Sequence, residues 1–189
     1  VTNYVPDPQG PAARTSTIAR FLTGSAGWGD AAVLVPYQLW QSYGDVDVLR
    51  RQYDSMQRWV DFALRRAADH RHPRRAAARA NPAPHERHLW DIGFHWGEWL
   101  EPGFDAAGLF TGEADVGDVA TAYLHRSLAT LADVAGTLDA DADADRYREL
   151  AGHVRAAWQA EYLDDDGTVT PATQANLVRA LAFDLVDDH

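Results

Sequence analysis

Five segments of this chain carry apolar residues at helical spacing, and they differ in how much of the helix circumference is apolar. Residues 31–43 and 171–186 are apolar on nearly every side, as in helices that neighbours surround. Residues 47–66 and 147–158 each have one polar face, and residues 118–138 are intermediate. No segment reads as a strand. This order of fully apolar and one-sided segments is what the alternating inner and outer helices of a double ring would show. The sequence therefore predicts an all-α toroid.

In such a toroid the first, third and fifth helices form the inner ring and point the same way. Their N-terminal ends, and the loops before them, therefore gather on one face. A simple helical bundle and a helical-repeat solenoid are the structural alternatives. The sequence shows no internal repeat, which weakens the solenoid.

Local signals give the expected helix ends. Asp30 is expected to cap the first helix, Pro36 to bend it and Gly44 to end it. Residues 139–145 are acidic and are expected to form a solvated spacer before the fourth helix. Thr170 is expected to cap the fifth helix, with a proline in its first turn.

Two segments lack helical periodicity. Residues 1–27 are rich in proline and glycine, which predicts an extended loop. Residues 66–117 form a long connection, which is usually functional, and we expect it on the active-site side. The chain opens at Val1 without an initiator methionine. We therefore expect an internal piece of a longer polypeptide, with the rest of that polypeptide completing a partial barrel over residues 1–189.

Charge and composition exclude several classes of partner. The net charge of -11 argues against nucleic acid or an anionic membrane surface as the main partner and leaves a neutral ligand open. The absence of cysteine excludes disulfides and thiolate metal sites. No apolar run approaches the roughly 18 residues of a membrane span. No phosphate loop or nucleophile elbow is present, so we predict no cofactor.

Two short clusters combine tryptophan, glycine and a carboxylate. The first contains Trp28 and Asp30, directly before an apolar helix, and the second contains Trp96, Glu98 and Trp99. One interpretation is structural: a tryptophan that closes the end of the core, beside an aspartate that only caps a helix. The functional interpretation is a sugar site, because C–H faces of sugars pack on indole and nearby carboxylates accept hydrogen bonds from hydroxyls.

Several motifs together, in order and spacing, resemble the catalytic domain of bacterial α-L-rhamnosidases, glycoside hydrolase family 78. In chain order these are Trp28-Gly29-Asp30-Ala31-Ala32, Pro36, Gly44-Asp45, Leu49, Met56, Trp59-Val60, Gly97-Glu98-Trp99-Leu100 and Thr173-Gln174. The resemblance covers nearly the whole chain apart from about residues 66–89. It implies an (α/α)6 barrel, of which about half is present, and hydrolysis of terminal α-L-rhamnose from glycosides with inversion.

The resemblance also implies which residues take part. The family's general acid lies in a motif upstream of the matched region, and its general base lies further downstream, so neither catalytic carboxylate is expected here. Trp28 and Trp99 match aromatic positions that line the rhamnose pocket. Asp30, Trp96 and Glu98 are expected as neighbours in substrate binding; relatives commonly have aspartate in place of Glu98.

Two functional alternatives remain open at this stage. One is a different (α/α)6 glycosidase, similar to glucoamylase or trehalase. The other is a noncatalytic helical protein that uses the tryptophan clusters only to bind carbohydrate.

Two further groups suggest metal binding only superficially. The histidines between residues 70 and 88 lie among arginines that would repel a cation, so we expect a solvated, mobile loop there. The aspartates of residues 139–143 mimic the start of a calcium loop. Ala144 and Leu150, however, stand where that loop requires glycine and glutamate. We therefore predict no metal site.

Overall fold

The computed structural model describes residues 24–69, 71–97 and 116–187. Helices dominate these ranges, and a lone bridge between Leu163 and Val169 is the β-structure found in them. The helices are α1 (Ala31–Tyr43), α2 (Val46–Asp69), α3 (Pro73–Ala78), a 3₁₀ helix (Pro84–His88), α4 (Val116–Thr137), α5 (Asp141–Tyr162) and α6 (Gln174–Ala182). None of them combines the length and the apolarity that crossing a bilayer requires.

Helix contacts separate an inner from an outer layer. α1 pairs with α2 and α4 pairs with α5 as antiparallel hairpins, and α4 also packs against both α1 and α6. α1, α4 and α6 are thus successive neighbours in one layer, whereas α2 and α5 lie behind them. The predicted alternation of inner and outer helices is confirmed for the described residues.

The connections at the two ends of this layer differ in length. Gly44 and Asp45 alone join α1 to α2, and residues 138–140 join α4 to α5. The connections that return from an outer to an inner helix are long, spanning residues 70–115 and 163–173. Each of these two connections runs from the end of an outer helix to the start of an inner helix.

The first hairpin follows the sequence signals closely. α1 ends at Gly44, whose left-handed φ of 71° lets its N–H donate to the Trp40 carbonyl at 2.7 Å. α2 is amphipathic as predicted, with Leu49, Met56 and Val60 fully buried on one face. Pro36 lies inside α1; the bend expected there stays a prediction.

The burial of the inner helices differs from the prediction. α4, predicted to be intermediate, is buried along nearly its whole length because α1, α2, α5 and α6 all pack on it. α1 and α6, predicted to be buried all round, are covered on one side only. Val35, Leu177, Val178 and Leu181 are 41–62% exposed, because no other described helix packs on those faces.

The starts of two helices were predicted wrongly. α5 begins at Asp141, so the acidic residues belong to its first turn rather than to a spacer, where their charge is favourable beside the helix N-terminus. Asp139 makes the turn with a left-handed φ of 58°. The cap of α6 is Thr173, whose hydroxyl accepts from the Asn176 N–H at 3.2 Å, three residues beyond the predicted Thr170.

The segment expected to be a solvated loop is instead held by ion pairs, and its Arg75 pairs with Glu161 at the end of α5. Glu86 is buried and accepts hydrogen bonds from Arg71, from Arg79 at 2.6 Å and from the Ala83 N–H at 2.9 Å. These donors lower the pKa of Glu86 to about 2, with the Arg71 hydrogen bond the largest cause. The solvated-loop prediction was wrong because charge pairing lets this Arg-rich segment pack.

Candidate functional site

Two loops meet beside the N-terminal end of α1, and each brings a tryptophan. The ring centroids of Trp28 and Trp96 lie 6.0 Å apart, and Phe94 packs edge-on against Trp96 at 5.0 Å. Trp28 is 56% exposed, which is high for an indole. The structure therefore brings two of the predicted site residues together at the predicted end of the inner helices.

A buried histidine joins these loops. The Ala26 N–H donates to Nδ1 of His95 at 3.0 Å, so Nε2 carries the proton and faces the Ile92 carbonyl at 3.3 Å. The Trp96 N–H also donates to Oγ of Ser25 at 3.3 Å. Burial lowers the pKa of His95 to about 4, so the imidazole is neutral and keeps this tautomer at physiological pH.

Asp30 lies beneath the first loop rather than on its surface. Its side chain is fully buried and accepts from the Gly27 N–H at 2.7 Å, Nε1 of Trp59 at 2.8 Å and Oγ of Ser127 at 2.5 Å. Desolvation raises its pKa, and these three donors oppose that shift. Asp30 takes the N-cap position of α1, but its side chain makes no capping hydrogen bond, so the expected side-chain cap was wrong. Its role in substrate binding stays a prediction. The carboxylate anchors the loop that carries Trp28 to α2 and α4.

Steric and conformational constraints explain the glycines on both sides of Trp28. A Cβ on Gly29 would lie 1.9 Å from the Trp59 ring, so only glycine allows this close packing. Gly27 has a left-handed φ of 79°, which turns the chain immediately before Trp28. The Gly-Trp-Gly-Asp motif is thus a turn that exposes an indole while its aspartate is buried.

Glu98 and Trp99, the other predicted substrate contacts, lie outside the described residues. Sequence reasoning missed Ser25 and His95, because the partners of these clasping bonds are about 70 residues apart and no local pattern marks them. The available signal in the sequence was that His95 directly precedes Trp96, a predicted site residue.

The described ranges contain no group of three histidine or carboxylate side chains placed to hold a metal ion. His85 lies 3.0 Å from Glu161, and His88 packs on His153 with ring centroids 5.2 Å apart. His85 and His88 of the Arg-rich segment thus have partners within the protein.

Comparisons with known proteins identify the family. The model of the bacterial α-L-rhamnosidase six-hairpin glycosidase domain matches residues 2–189. An α-L-rhamnosidase of Alteromonas sp. is 31% identical over 166 residues, covering 86% of this chain and 16% of the relative. One of Streptomyces avermitilis is 31% identical over 165 residues, covering 87% of this chain and 13% of the relative.

Solved structures agree. The S. avermitilis α-L-rhamnosidase complexed with L-rhamnose matches 87% of this chain and 13% of that chain, with a TM-score of 0.67 and 30% identity. The native enzyme of Aspergillus terreus matches 85% of this chain and 17% of that chain, with a TM-score of 0.71 and 30% identity. The helices are therefore part of an (α/α)6 barrel, as predicted.

The chain spans about a seventh of the length of the curated relatives it matches. The family model, in contrast, extends over nearly every residue of the chain. The chain thus belongs to the family of bacterial α-L-rhamnosidase six-hairpin glycosidase domains.

Proposed function

We propose that this chain supplies part of the rhamnose-binding face of an α-L-rhamnosidase, and that the complete polypeptide removes terminal α-L-rhamnose from glycosides with inversion. The observation that carries the proposal is the exposed Trp28 indole held against Trp96 at the end where the inner helices begin. A relative with a matching fold is described as complexed with L-rhamnose, which supports the choice of sugar.

The chemistry of the sugar fits an indole surface. L-Rhamnose is a 6-deoxy sugar, so its methyl group and C–H face are apolar while its hydroxyls need hydrogen-bond partners. Trp28 and Trp96 provide the apolar surface. We propose that Trp99 extends this surface and that Glu98 accepts from a hydroxyl, in line with the family resemblance.

The proton-transfer groups are proposed to lie elsewhere in the polypeptide. Inversion uses two carboxyl groups about 6.5–9.5 Å apart, one acting as general acid and one activating water. The buried carboxylates of the described residues are occupied by internal donors, as Asp30 and Glu86 illustrate. This supports assigning the acid upstream and the base downstream of the chain.

The test compares the isolated chain with the complete polypeptide on an aryl α-L-rhamnoside. We expect turnover only by the complete polypeptide, because general acid and base assistance each contribute about 100- to 10,000-fold. NMR of the first-formed product should show β-L-rhamnose. Turnover by the isolated chain near that of the complete enzyme, or α-L-rhamnose as first product, would refute the assignment.

A second test addresses the binding surface. In the complete polypeptide, Trp28→Ala and Trp99→Ala should each weaken rhamnose binding by about 1–3 kcal/mol with little change in melting temperature. Tyr43→Ala is the matched control, because Tyr43 is an 80% exposed aromatic residue at the other end of α1. A collapse in melting temperature with unchanged rhamnose affinity would make the tryptophans structural.

A further inference from the structure

A cavity of about 490 Å³ lies where the Arg-rich segment meets the end of α5 and the loop before α6. Its charged lining comes from both sides of this junction. The groups are His72, Arg74, Arg75, Arg79, Asp91 and Glu161. Ala78, Tyr162 and Pro171 give it some apolar wall, so the cavity has the mixed character of a sugar site.

The carboxylates of this cavity are already neutralised. Arg75 pairs with Asp91 at 2.9 Å and also with Glu161, and its own side chain is only 10% exposed. Arg79 is shared between Glu86 at 2.6 Å and Glu161 at 3.7 Å. The acidic groups therefore present little net negative charge to a ligand.

One arginine of the cavity lining makes no ion pair within the described ranges. Arg74 is exposed, lines the cavity and has no carboxylate partner within the described ranges. Its backbone N–H donates to Nδ1 of His72 at 3.1 Å, which fixes the turn that carries it. The 44% exposed side chain of Arg79 adds a second accessible guanidinium edge. The cavity thus offers positive charge in a chain whose net charge is -11.

Part of the cavity wall lies on the same connection between α2 and α4 as Trp96. Asp91 in its wall precedes Trp96 by five residues, so even a fully extended chain would separate their Cα atoms by no more than about 18 Å. Both features lie at the end where the inner helices begin. The arginines belong to residues 66–89, which carry none of the motifs that make the rest of the chain resemble the family.

From these observations we propose that the cavity binds the carboxylate of an acidic sugar adjoining the rhamnose, so that the preferred substrates are rhamnosides of uronic acids. The inference rests on the proposed rhamnosidase function and deepens it. A planar guanidinium matches a carboxylate in two parallel hydrogen bonds, which a neutral sugar cannot offer. Ala78 and Pro171 would contact the ring of that sugar.

The experiment uses the complete polypeptide and two matched disaccharides, α-L-rhamnosyl glucuronate and its methyl ester, with an aryl rhamnoside as reference. We expect kcat/KM for the acid to exceed that for the ester. Arg74→Gln should lower kcat/KM for the acid by about 10-fold, equivalent to about 1.4 kcal/mol, and leave the ester and the aryl rhamnoside within about 2-fold. Arg58→Gln, which removes the same charge from an exposed position on α2, should change none of them.

The outcomes separate the two proposals. Turnover of the aryl rhamnoside without preference for the acid, or an equal loss on acid and ester in Arg74→Gln, overturns the acidic subsite and leaves the rhamnosidase assignment standing. Failure to hydrolyse any rhamnoside overturns the proposed function. Titration with free glucuronate, with glucose as the uncharged control, then tests the carboxylate site without turnover. Glucuronate binding that Arg74→Gln weakens supports the site. Equal binding of both sugars refutes it.

Discussion

Trp28 and Trp96 owe their positions to residues that lie behind them. Asp30, Gly29 and His95 are buried or sterically confined, and each fixes one of the two loops. The proximity of the two tryptophan clusters follows from the predicted toroid, because both loops precede inner helices. The hydrogen bonds from Ala26 to His95 and from Trp96 to Ser25 could not be predicted, because each joins a backbone N–H to a side chain that is distant in sequence.

Gly29→Ala tests the close approach of the loop to α2. The added methyl would lie within 2.5 Å of three Trp59 ring atoms, and that ring packs on Phe62 and Trp90. We expect a loss of about 1–3 kcal/mol of stability from overpacking, measured by chemical denaturation. Gly136→Ala in α4 meets no atom within 4 Å and should be neutral or stabilising. Equal effects of the two substitutions would show that the contact is relaxed in solution.

Asp30→Ala tests the anchor beneath Trp28. Three buried or partly buried donors lose their acceptor, and each unsatisfied donor costs about 1–3 kcal/mol, so we expect a loss of at least about 3 kcal/mol. Ser127→Ala removes only one of the donors and should cost about 1 kcal/mol. Thermal melting of both variants checks this order. A milder effect for Asp30→Ala than for Ser127→Ala would contradict the anchoring role.

The lowered pKa of His95 predicts acid sensitivity. The unfolded chain binds a proton at this residue near its ordinary pKa of 6.5, whereas the native state does so only near pH 4. Stability is therefore complete above about pH 6.5 and falls by about 3 kcal/mol in total as the pH drops to 4. His95→Gln keeps a donor and an acceptor but does not titrate. Its stability should depend less steeply on pH over that window, and identical profiles would argue against a buried neutral histidine.

At the scale of helices, local sequence signals worked where one residue type decides the outcome. Gly44 ends α1 because a left-handed residue is needed there, and α2 shows its buried stripe directly in the sequence. The start of α5 was missed because aspartates at a helix N-terminus look like a polar linker. Burial was misjudged for α1 and α6. An apolar helix surface indicates that packing there would be favourable, but it does not show that another helix covers it.

The apolar outer faces of these edge helices predict self-association of the isolated chain. Leu181→Gln on α6 replaces a 62% exposed leucine, so it should change stability by less than about 0.5 kcal/mol while reducing association. Sedimentation velocity against concentration measures the effect. The same substitution at fully buried Leu128 should instead unfold the protein. A parent chain that stays monomeric at all concentrations would contradict this expectation.

At the scale of the whole molecule, α4 is the most buried of the described helices, because α1, α2, α5 and α6 all pack on it. Both buried clusters include residues of α4 and α5. One cluster extends to α1 and α2, and the other extends to α6. The fold class was predictable because the alternation of inner and outer helices shows in the amphipathicity of the successive segments. The position of residues 71–97 was not, because ion pairs of residues 71–91 and hydrogen bonds of His95 and Trp96, rather than apolar periodicity, hold them.

The connections at the two ends of the helical layer differ in how much change in length they tolerate. One inserted residue between Gly44 and Asp45 would rotate α2 against α1 and expose its apolar stripe. The long returns at the other end can change in length and content while the helices they join stay in register. Residues 71–89 are therefore an exchangeable module: replacing them with the corresponding segment of another family member should transfer substrate preference and leave the barrel intact.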